Sequence, residues 1–241
     1  KPSTAVRIRS GPLQIKGSVK RAFFYTIFLI QSFFCSSTHK KQTHIMQIGT
    51  DFPKIEFQLF GLDLLEPNGF IGDTLIFLLS MYFYFKVKKI EQQGSNEFLK
   101  NWRFFYLFFG FSFFLGGFGH LLYNYFQVAG KIPSWFFSLF APYYIENAMI
   151  SIYPNEKRKP LYRKISLLKL IVLIAAEAIL LINMDISHKP EIGIIIPSLA
   201  SVLGLVLCLG VLGIYYKTKI HDSFINLWYA MLLLLFSLLP Q

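Results

Sequence analysis

The chain has 241 residues, of which 54% are hydrophobic and only 15% are charged. A soluble domain carries about 25% charged residues, and here the apolar residues form long runs, so the composition argues against a water-soluble enzyme. The aromatic content of 18% excludes an intrinsically disordered chain. The net charge of +11 comes from Lys and Arg in short stretches between the apolar runs, as membrane topology requires, and we expect no nucleic-acid partner.

Residues 1–45 are not expected to belong to the fold. Within them, the apolar run Phe23–Phe34 follows a basic stretch and precedes Cys35-Ser36-Ser37, which is the arrangement of a secretory signal. The first methionine is Met46, so the alternative is that the preceding residues are read-through from upstream of the true start, and we favour this interpretation. Residues 46–68 are mixed and polar and are predicted to form an outer surface segment.

Six long apolar segments follow within residues 69–241, and most approach the roughly 20 residues that cross about 30 Å of hydrocarbon as an α-helix. A membrane β-barrel would require alternating strands, which these solid runs lack. The sequence therefore predicts an all-α, polytopic membrane helix bundle. Because the chain stops directly after the sixth run, we expect a fragment that lacks a seventh helix. The predicted segments are Phe70–Phe85, Phe104–Val128, Ile132–Tyr153, Ile165–Met184, Ile192–Tyr216 and Phe224–Leu239.

The basic residues between these segments predict the orientation of the bundle. Twelve Lys or Arg residues fall in the first, third and fifth connectors, against only Lys131 and Lys189 in the other two. Positive loops favour the cytoplasm, so the residues before Phe70 are predicted to lie outside. We expect a bacterial inner membrane, because the connectors are short. The twelve are Lys86, Lys88, Lys89, Lys100, Arg103, Lys157, Arg158, Lys159, Arg163, Lys164, Lys217 and Lys219.

Ionisable groups inside a bilayer cost several kcal/mol unless they are paired or hydrated, so each one marks a site hypothesis. At helical rise, Asp73 would lie about 5 Å, Glu177 about 10 Å and His120 about 12 Å below the outer surface. Asn124 follows His120 by four residues and would share its helix face. An imidazole, two carboxylates and an amide in one outer layer can hold a metal ion or a proton.

Other interpretations of these residues remain open. The glycines of Gly116-Gly117-Phe118-Gly119 allow close helix packing before His120, and they can serve packing alone. Asp73 can instead cap its own helix. Glu146 lies nearer the cytoplasmic side and is expected to pair with Lys169. The aromatic runs, Phe104-Phe105-Tyr106, Phe108-Phe109 and Trp135-Phe136-Phe137, are expected to face lipid and the interfaces.

Two short motifs resemble the alkaline ceramidase-like superfamily of seven-helix membrane hydrolases, called CREST. They are Gly72-Asp73-Thr74 at the start of the first helix and the glycine-rich end of the second helix before His120. The similarity is to uncharacterised bacterial relatives and spans about residues 66–241. It implies a zinc ion held by His120 and by an HxxxH pair on a seventh helix beyond Gln241, acting on a lipid substrate.

The resemblance also implies a serine four residues before the histidine and an aspartate about eleven after it, where this chain has Gly116 and Lys131. Asp73 or Glu177 would then replace the missing acid as the catalytic carboxylate. Three functions follow: a zinc-dependent hydrolase of a lipid amide or ester, a non-catalytic receptor-like or transport-related protein embedded in membrane lipids, and a small proton or ion pathway.

Overall fold

The computed structural model describes residues 55–94, 96–184 and 190–237. The segment 1–45, predicted to lie outside the fold, falls outside the described residues. A β-hairpin comes first and helices follow. The elements are β1 (Glu56–Leu59), β2 (Leu62–Leu65), α1 (Pro67–Glu91), α2 (Glu97–Leu121), α3 (Tyr123–Phe126), α4 (Ile132–Ser151), α5 (Lys159–Asn183), α6 (Ile195–Leu205), a π-helical segment (Val206–Val211), α7 (Leu212–Lys219) and α8 (Ile225–Ser237), with 3-10 turns at Gln127–Lys131, Glu156–Arg158, Pro190–Ile194 and Asp222–Phe224.

The two strands form an antiparallel hairpin directly before α1. Its turn consists of Phe60 and Gly61, which have φ angles of 52° and 77°. Left-handed backbone at both turn residues matches the twist of the flanking strands. Leu64 and Leu65 are buried and fasten the second strand to the helices. Part of the segment 46–68, predicted as polar and outer, is therefore a folded hairpin.

The first two long helices have ends that their sequences explain. Pro67 opens α1, where its missing N–H costs no hydrogen bond, and Lys88 and Lys89 lie in its last turn beside the negative end of the helix. The side chain of Asn96 caps α2 by accepting the N–H of Phe98 at 2.8 Å. The apolar runs therefore predict the middle of each helix, whereas polar and proline residues outside the runs define its ends.

Within the described residues, four helical segments are long and apolar enough to cross a membrane, by length and composition, against the six predicted for the chain. They are Pro67–Glu91, Glu97–Leu121, Glu156–Asn183 and Ile192–Lys219. The third predicted segment forms α4, but Pro142, Glu146, Asn147 and neighbouring tyrosines lower its hydropathy, and ten of its 20 residues are buried. The last predicted segment forms α8, of which 13 residues are described. A helix enclosed by other helices can carry polar residues that a lipid-facing helix cannot.

Helix packing follows the chain order, with α4 at the centre. α1 packs against α2, α2 packs against α4, and α4 packs against α5 and α6. Leu139 of α4, Leu170 of α5 and Ala200 of α6 form a buried cluster where the three helices meet. The central position of α4 brings its polar side chains next to both halves of the bundle.

Several aromatic side chains that were predicted to face lipid lie between helices instead. Phe108 stacks on Phe140 at 5.0 Å and on Tyr144 at 5.1 Å between ring centroids. Trp135 is only 4% exposed, and its ring packs directly against Gly193. The prediction is wrong for Phe108 and Trp135, because stacked rings fill the space between α2 and α4 and a ring fits over a glycine.

Candidate functional site

Close packing of α1 against α2 determines which way Asp73 faces. A Cβ atom added to Gly117 would lie 2.9 Å from the Cβ of Asp73, and one added to Gly110 would lie 2.8 Å from the Cβ of Ser80. Both pairs are separated by seven residues along their helices, so the two antiparallel backbones approach at every second turn. Asp73 therefore lies against α2 and not toward lipid.

His120, at the end of α2, is paired with a carboxylate from the start of α1. Its Nδ1 donates to Oε2 of Glu66 at 2.5 Å. The two side chains are 38% and 34% exposed, so the pair is partly accessible. A carboxylate on one ring nitrogen fixes the orientation and tautomer of a histidine. The position and the carboxylate partner make this pair an organised polar group at the hairpin end of the bundle.

The backbone around Glu66 holds its carboxylate in place. Glu66 has a left-handed φ of 50°, which turns the chain from β2 into α1. Its N–H donates to the carbonyl of Ile55 at 2.9 Å, and its carbonyl accepts the N–H of Phe70 at 3.3 Å. Sequence reasoning missed Glu66, although it directly precedes Pro67, which opens α1, at the end of the bundle where α2 ends after His120.

Asp73 lies on the same helix interface, two turns further along α1. A Cβ atom on Gly116 would be 3.7 Å from Oδ2 of Asp73 and also 3.7 Å from Oγ of Ser134, which donates its hydroxyl to the carbonyl of Lys131. The charge of Lys131 also acts on the Asp73 carboxylate. The helix begins six residues before Asp73, so the alternative that Asp73 caps α1 is wrong. An acidic, a basic and a hydroxyl group therefore gather beside the α2 glycines.

Asn124 bonds to the hairpin. α2 ends at Leu121, so Asn124 belongs to the separate short helix α3, and the predicted continuous helix face through His120 and Asn124 does not exist. The Asn124 amide donates to the carbonyl of Asp63 at 3.3 Å. It lines an open cleft of about 500 Å³ together with hairpin residues, including Glu56 and Gln58.

Glu177 lies on α5, which is separated from α1 in the packing order by α2 and α4. It is fully buried, and neither carboxylate oxygen has a hydrogen-bond partner within the described chain. The contact of Leu139 with Leu170 sets the register of α4 and α5. Seven further residues, or about 10 Å of helix, bring Glu177 to the level of the first turn of α4, where Ser134 is buried.

The four predicted site residues therefore do not form one hydrogen-bonded centre in the described chain. Asp73 and His120 share the α1–α2 interface, whereas Asn124 bonds to the hairpin and Glu177 lies on α5. Among residues 55–94, 96–184 and 190–237, no group of three or more His, Cys, Asp or Glu side chains is placed to hold a metal ion. The described ligands thus do not make a zinc site by themselves, since even a catalytic site uses about three protein ligands.

A second polar centre lies between α4 and α5. Glu146 is buried and forms an ion pair with Lys169, as the sequence predicted, so this expectation is confirmed. Ser166 donates its hydroxyl to the second carboxylate oxygen of Glu146 at 2.8 Å. Both carboxylate oxygens are therefore satisfied, which a charge inside an apolar bundle requires.

The π-helical segment passes this second centre. Its Cys208 is fully buried and close enough to Glu146 and Lys169 for their charges to act on the thiol. One turn beyond the segment, the hydroxyl of the buried Tyr216 donates to the carbonyl of Met149 at 2.6 Å. π-Helical turns in α-helices are rare and are frequent at functional sites. Nothing in the apolar run of the sequence signals this turn.

The described part of the chain is mainly helical and contains four segments that are long and apolar enough to cross a membrane. The chain matches the model of a family of unknown function, DUF6962, over residues 69–241, and it belongs to that family. The matched region begins at the third residue of α1, continues through α8 and excludes the hairpin. Neither the search of curated proteins nor the search of solved structures gave a match.

Proposed function

We propose that the protein is an integral membrane protein that hydrolyses an amide or ester bond of a membrane lipid at the hairpin end of its bundle. The hydrogen bond between Glu66 and His120 is the observation on which this proposal depends. An imidazole oriented by a carboxylate is suited to general-base catalysis. In such a pair the histidine accepts a proton from an attacking water, whose oxygen bonds to the acyl carbon, and the carboxylate stabilises the imidazolium that forms. The imidazolium then gives this proton to the amine or alcohol that leaves when the C–N or C–O bond breaks, and the fatty acid is released.

Neighbouring groups support the same chemistry. The resemblance to alkaline ceramidase-like hydrolases implies a serine at the position of Gly116. In this chain the hydroxyl of Ser134 lies in contact distance of a side chain built at that position. Asp73 and Lys131 add opposite charges nearby. Ser134 of α4 therefore provides a hydroxyl close to the position where the resemblance implies a serine of α2.

The level of this site also fits a lipid substrate. The Glu66–His120 pair lies where α1 begins and α2 ends, so it would sit near the membrane–water boundary. The amide and ester bonds of lipids lie in the same interfacial region, between the headgroups and the hydrocarbon core. Partial exposure of both side chains leaves the pair accessible from that region.

Hydrolysis by purified protein tests the proposal. Ceramides and glycerophospholipids in mixed micelles serve as substrates, and the released fatty acid is measured by mass spectrometry. Glu66→Gln and His120→Ala should each lower the rate by about 100-fold or more. Glu56→Gln, which changes an exposed carboxylate of the same hairpin, should retain the wild-type rate. Wild-type protein that releases no fatty acid, or variants that match it, would contradict the proposal.

The zinc ion implied by the resemblance remains a prediction, and no step of the proposed chemistry passes through it. Its test is metal analysis of the purified full-length protein beside His120→Ala. About one zinc per chain, lost in the variant, supports the metal, and equal metal content in both proteins contradicts it. Hydrolysis that survives chelation would then assign the reaction to the protein groups alone.

The proposed membrane orientation is supported by the charges at the two ends of the bundle. The end with the hairpin carries Lys131, whereas Lys88, Lys89 and the residues around Arg158 lie at the opposite end. A cysteine introduced by Arg158→Cys should resist impermeant thiol reagents added outside intact cells, and Gln58→Cys should react. Labelling in the reverse pattern would overturn the orientation. The bacterial inner membrane remains the proposed location.

A non-catalytic, transport-related protein is the second candidate, and the Glu146–Lys169–Ser166 network favours it. Charged groups within membrane helices often mark proton or ion pathways, and here they adjoin a π-helical turn. The test uses vesicles that contain the protein and a pH-sensitive dye. Proton flux that is lost in Glu146→Gln and kept in Glu56→Gln would support this candidate, and flux equal to that of empty vesicles would dismiss it.

A further inference from the structure

Phe60, at the tip of the hairpin, is a bulky residue with left-handed backbone and an apolar residue on the surface. Phe60 is 94% exposed and has a φ of 52°. Tight turns with left-handed backbone at both positions usually contain Asn-Gly, because a bulky side chain is strained there. Strained residues persist where the surroundings compensate for them and are frequent at functional positions. A large apolar ring in this place indicates surroundings other than water.

Further apolar residues surround the tip. They form the hairpin patch, which we define as Leu59, Phe60, Leu62, Tyr125 and Phe126. Every member is exposed, and Tyr125 of α3 accepts the N–H of Asp63 through its hydroxyl at 3.0 Å. This bond fastens the hairpin to α3. The patch thus combines exposed apolar residues of two elements that this bond holds together, and exposed apolar patches mark interaction sites.

The hairpin leads directly into α1, and one face of this helix is apolar and exposed. Residues exposed on this helix recur at intervals of four and three positions, which places them on one face. They are Ile71, Leu75, Leu78, Tyr82 and Phe85. If α1 crosses the membrane, this face contacts lipid, and the hairpin patch lies at its outer end. Tyr is suited to that boundary, where Trp and Tyr concentrate, and Phe and Leu side chains of interfacial segments insert into it.

We propose that the hairpin patch inserts into the boundary between headgroups and acyl chains of the leaflet at the hairpin end. The partner is a lipid surface. Three acidic residues, Glu56, Asp63 and Glu66, outnumber the single base Lys131 at this end of the described bundle. The patch is therefore suited to zwitterionic lipid and is repelled by anionic lipid. The proposal rests on the proposed membrane placement and is independent of hydrolysis.

Spin labels on the full chain, reconstituted in phosphatidylcholine vesicles, test this inference. Labels are attached in a Cys35→Ser, Cys208→Ala background at Phe60→Cys, at Glu56→Cys as a control on the same hairpin, and at Leu78→Cys on the outer face of α1. The ratio of collision with oxygen to collision with a water-soluble nickel complex should be several-fold higher at positions 60 and 78 than at position 56.

Two results would overturn the proposal in distinguishable ways. If position 78 is in lipid and position 60 matches position 56, the hairpin patch is in water and only this inference fails. If positions 60 and 78 both match position 56, the membrane placement fails as well. These measurements do not depend on hydrolysis. The hydrolase proposal can therefore fail while the membrane placement and the insertion of the hairpin patch hold.

A second variant guards against a misfolded hairpin. Phe60→Asn creates the Asn-Gly turn that this backbone prefers, so the hairpin should form at least as well as before. A label at Leu62→Cys should then show a several-fold lower oxygen-to-nickel ratio in the Phe60→Asn background than in the Phe60 background. An unchanged ratio would mean that the ring does not hold the hairpin in lipid. Vesicles with phosphatidylglycerol should lower the ratio at Leu62→Cys, and a rise would contradict the assignment to zwitterionic lipid.

Discussion

Gly119 lies where the end of α2 meets the chain that leads into α4, and replacing it tests how closely these backbones pack. A Cβ atom at Gly119 would lie 2.8 Å from the carbonyl oxygen and 2.9 Å from the carbonyl carbon of Gly130. These are backbone atoms, so they cannot rotate away as a side chain can. Three positions earlier, a Cβ atom at Gly116 would have its nearest neighbours at 3.7 Å, an ordinary contact.

Replacing glycine by alanine should therefore lower the free energy of unfolding at position 119 and raise it at position 116. Gly→Ala inside a helix gains about 1 kcal/mol from helix propensity, and overpacking costs about 1–3 kcal/mol. Because backbone must move, Gly119→Ala falls at the upper end of that cost, with a net loss of about 2 kcal/mol. Gly116→Ala keeps most of the gain, so the two variants should differ by about 2–3 kcal/mol in the free energy of unfolding.

Thermal unfolding in detergent measures this difference. For a chain of this size each kcal/mol shifts the Tm by about 2–4 °C, so Gly119→Ala should melt roughly 4–12 °C below Gly116→Ala. Circular dichroism before heating checks that both variants are helical. Equal melting temperatures, or a higher Tm for Gly119→Ala, would refute the close approach of α2 to the chain at Gly130.

The second polar centre gives three further predictions. Lys169→Met strands the buried carboxylate of Glu146, whereas Glu146→Gln leaves an ammonium on a long, partly exposed side chain that can extend along the helix toward the membrane–water boundary. Lys169→Met should therefore lower the Tm more, and the reverse order would contradict the burial of the carboxylate. Tyr216→Phe leaves the Met149 carbonyl unpaired and should cost about 1–3 kcal/mol in chemical unfolding, and no measurable loss would dismiss this hydrogen bond. Cys208 is fully buried, so a permeant maleimide should label it only after denaturation, as mass spectrometry will reveal.

The sequence predicted the features that depend on local pattern. Long apolar runs locate the helices, because backbone hydrogen bonds inside a helix need no partner from elsewhere in the chain. The Glu146–Lys169 pair was predictable because both residues fall at a similar depth in consecutive segments. Glu66 was not, because its contact with His120 joins residues 54 positions apart and depends on the left-handed turn that leads from β2 into α1.

Helix ends and the number of membrane-crossing helices were harder to predict. The apolar run after His120 continues to Val128, yet α2 stops at Leu121, and Gln127 adopts a left-handed φ of 49°. Hydropathy does not register such a break, because the residues remain apolar on both sides of it. Hydropathy also predicted a membrane-crossing segment at α4. This helix contains polar residues, which are tolerated because other helices enclose them.

The wide turn at Val206–Val211 has a consequence for the periodicity of its helix. A π-helical turn contains one surplus residue, so the positions after it are rotated by about 100° relative to an uninterrupted α-helix. The surplus explains why Cys208, Leu209 and Gly210 are buried in succession, although a regular helix would turn one of them outward. In a family member with one residue fewer in this region, the helix would be a regular α-helix, and the residues after it would not be rotated. A one-residue gap in an alignment would therefore distinguish members with the π-helical turn from members without it.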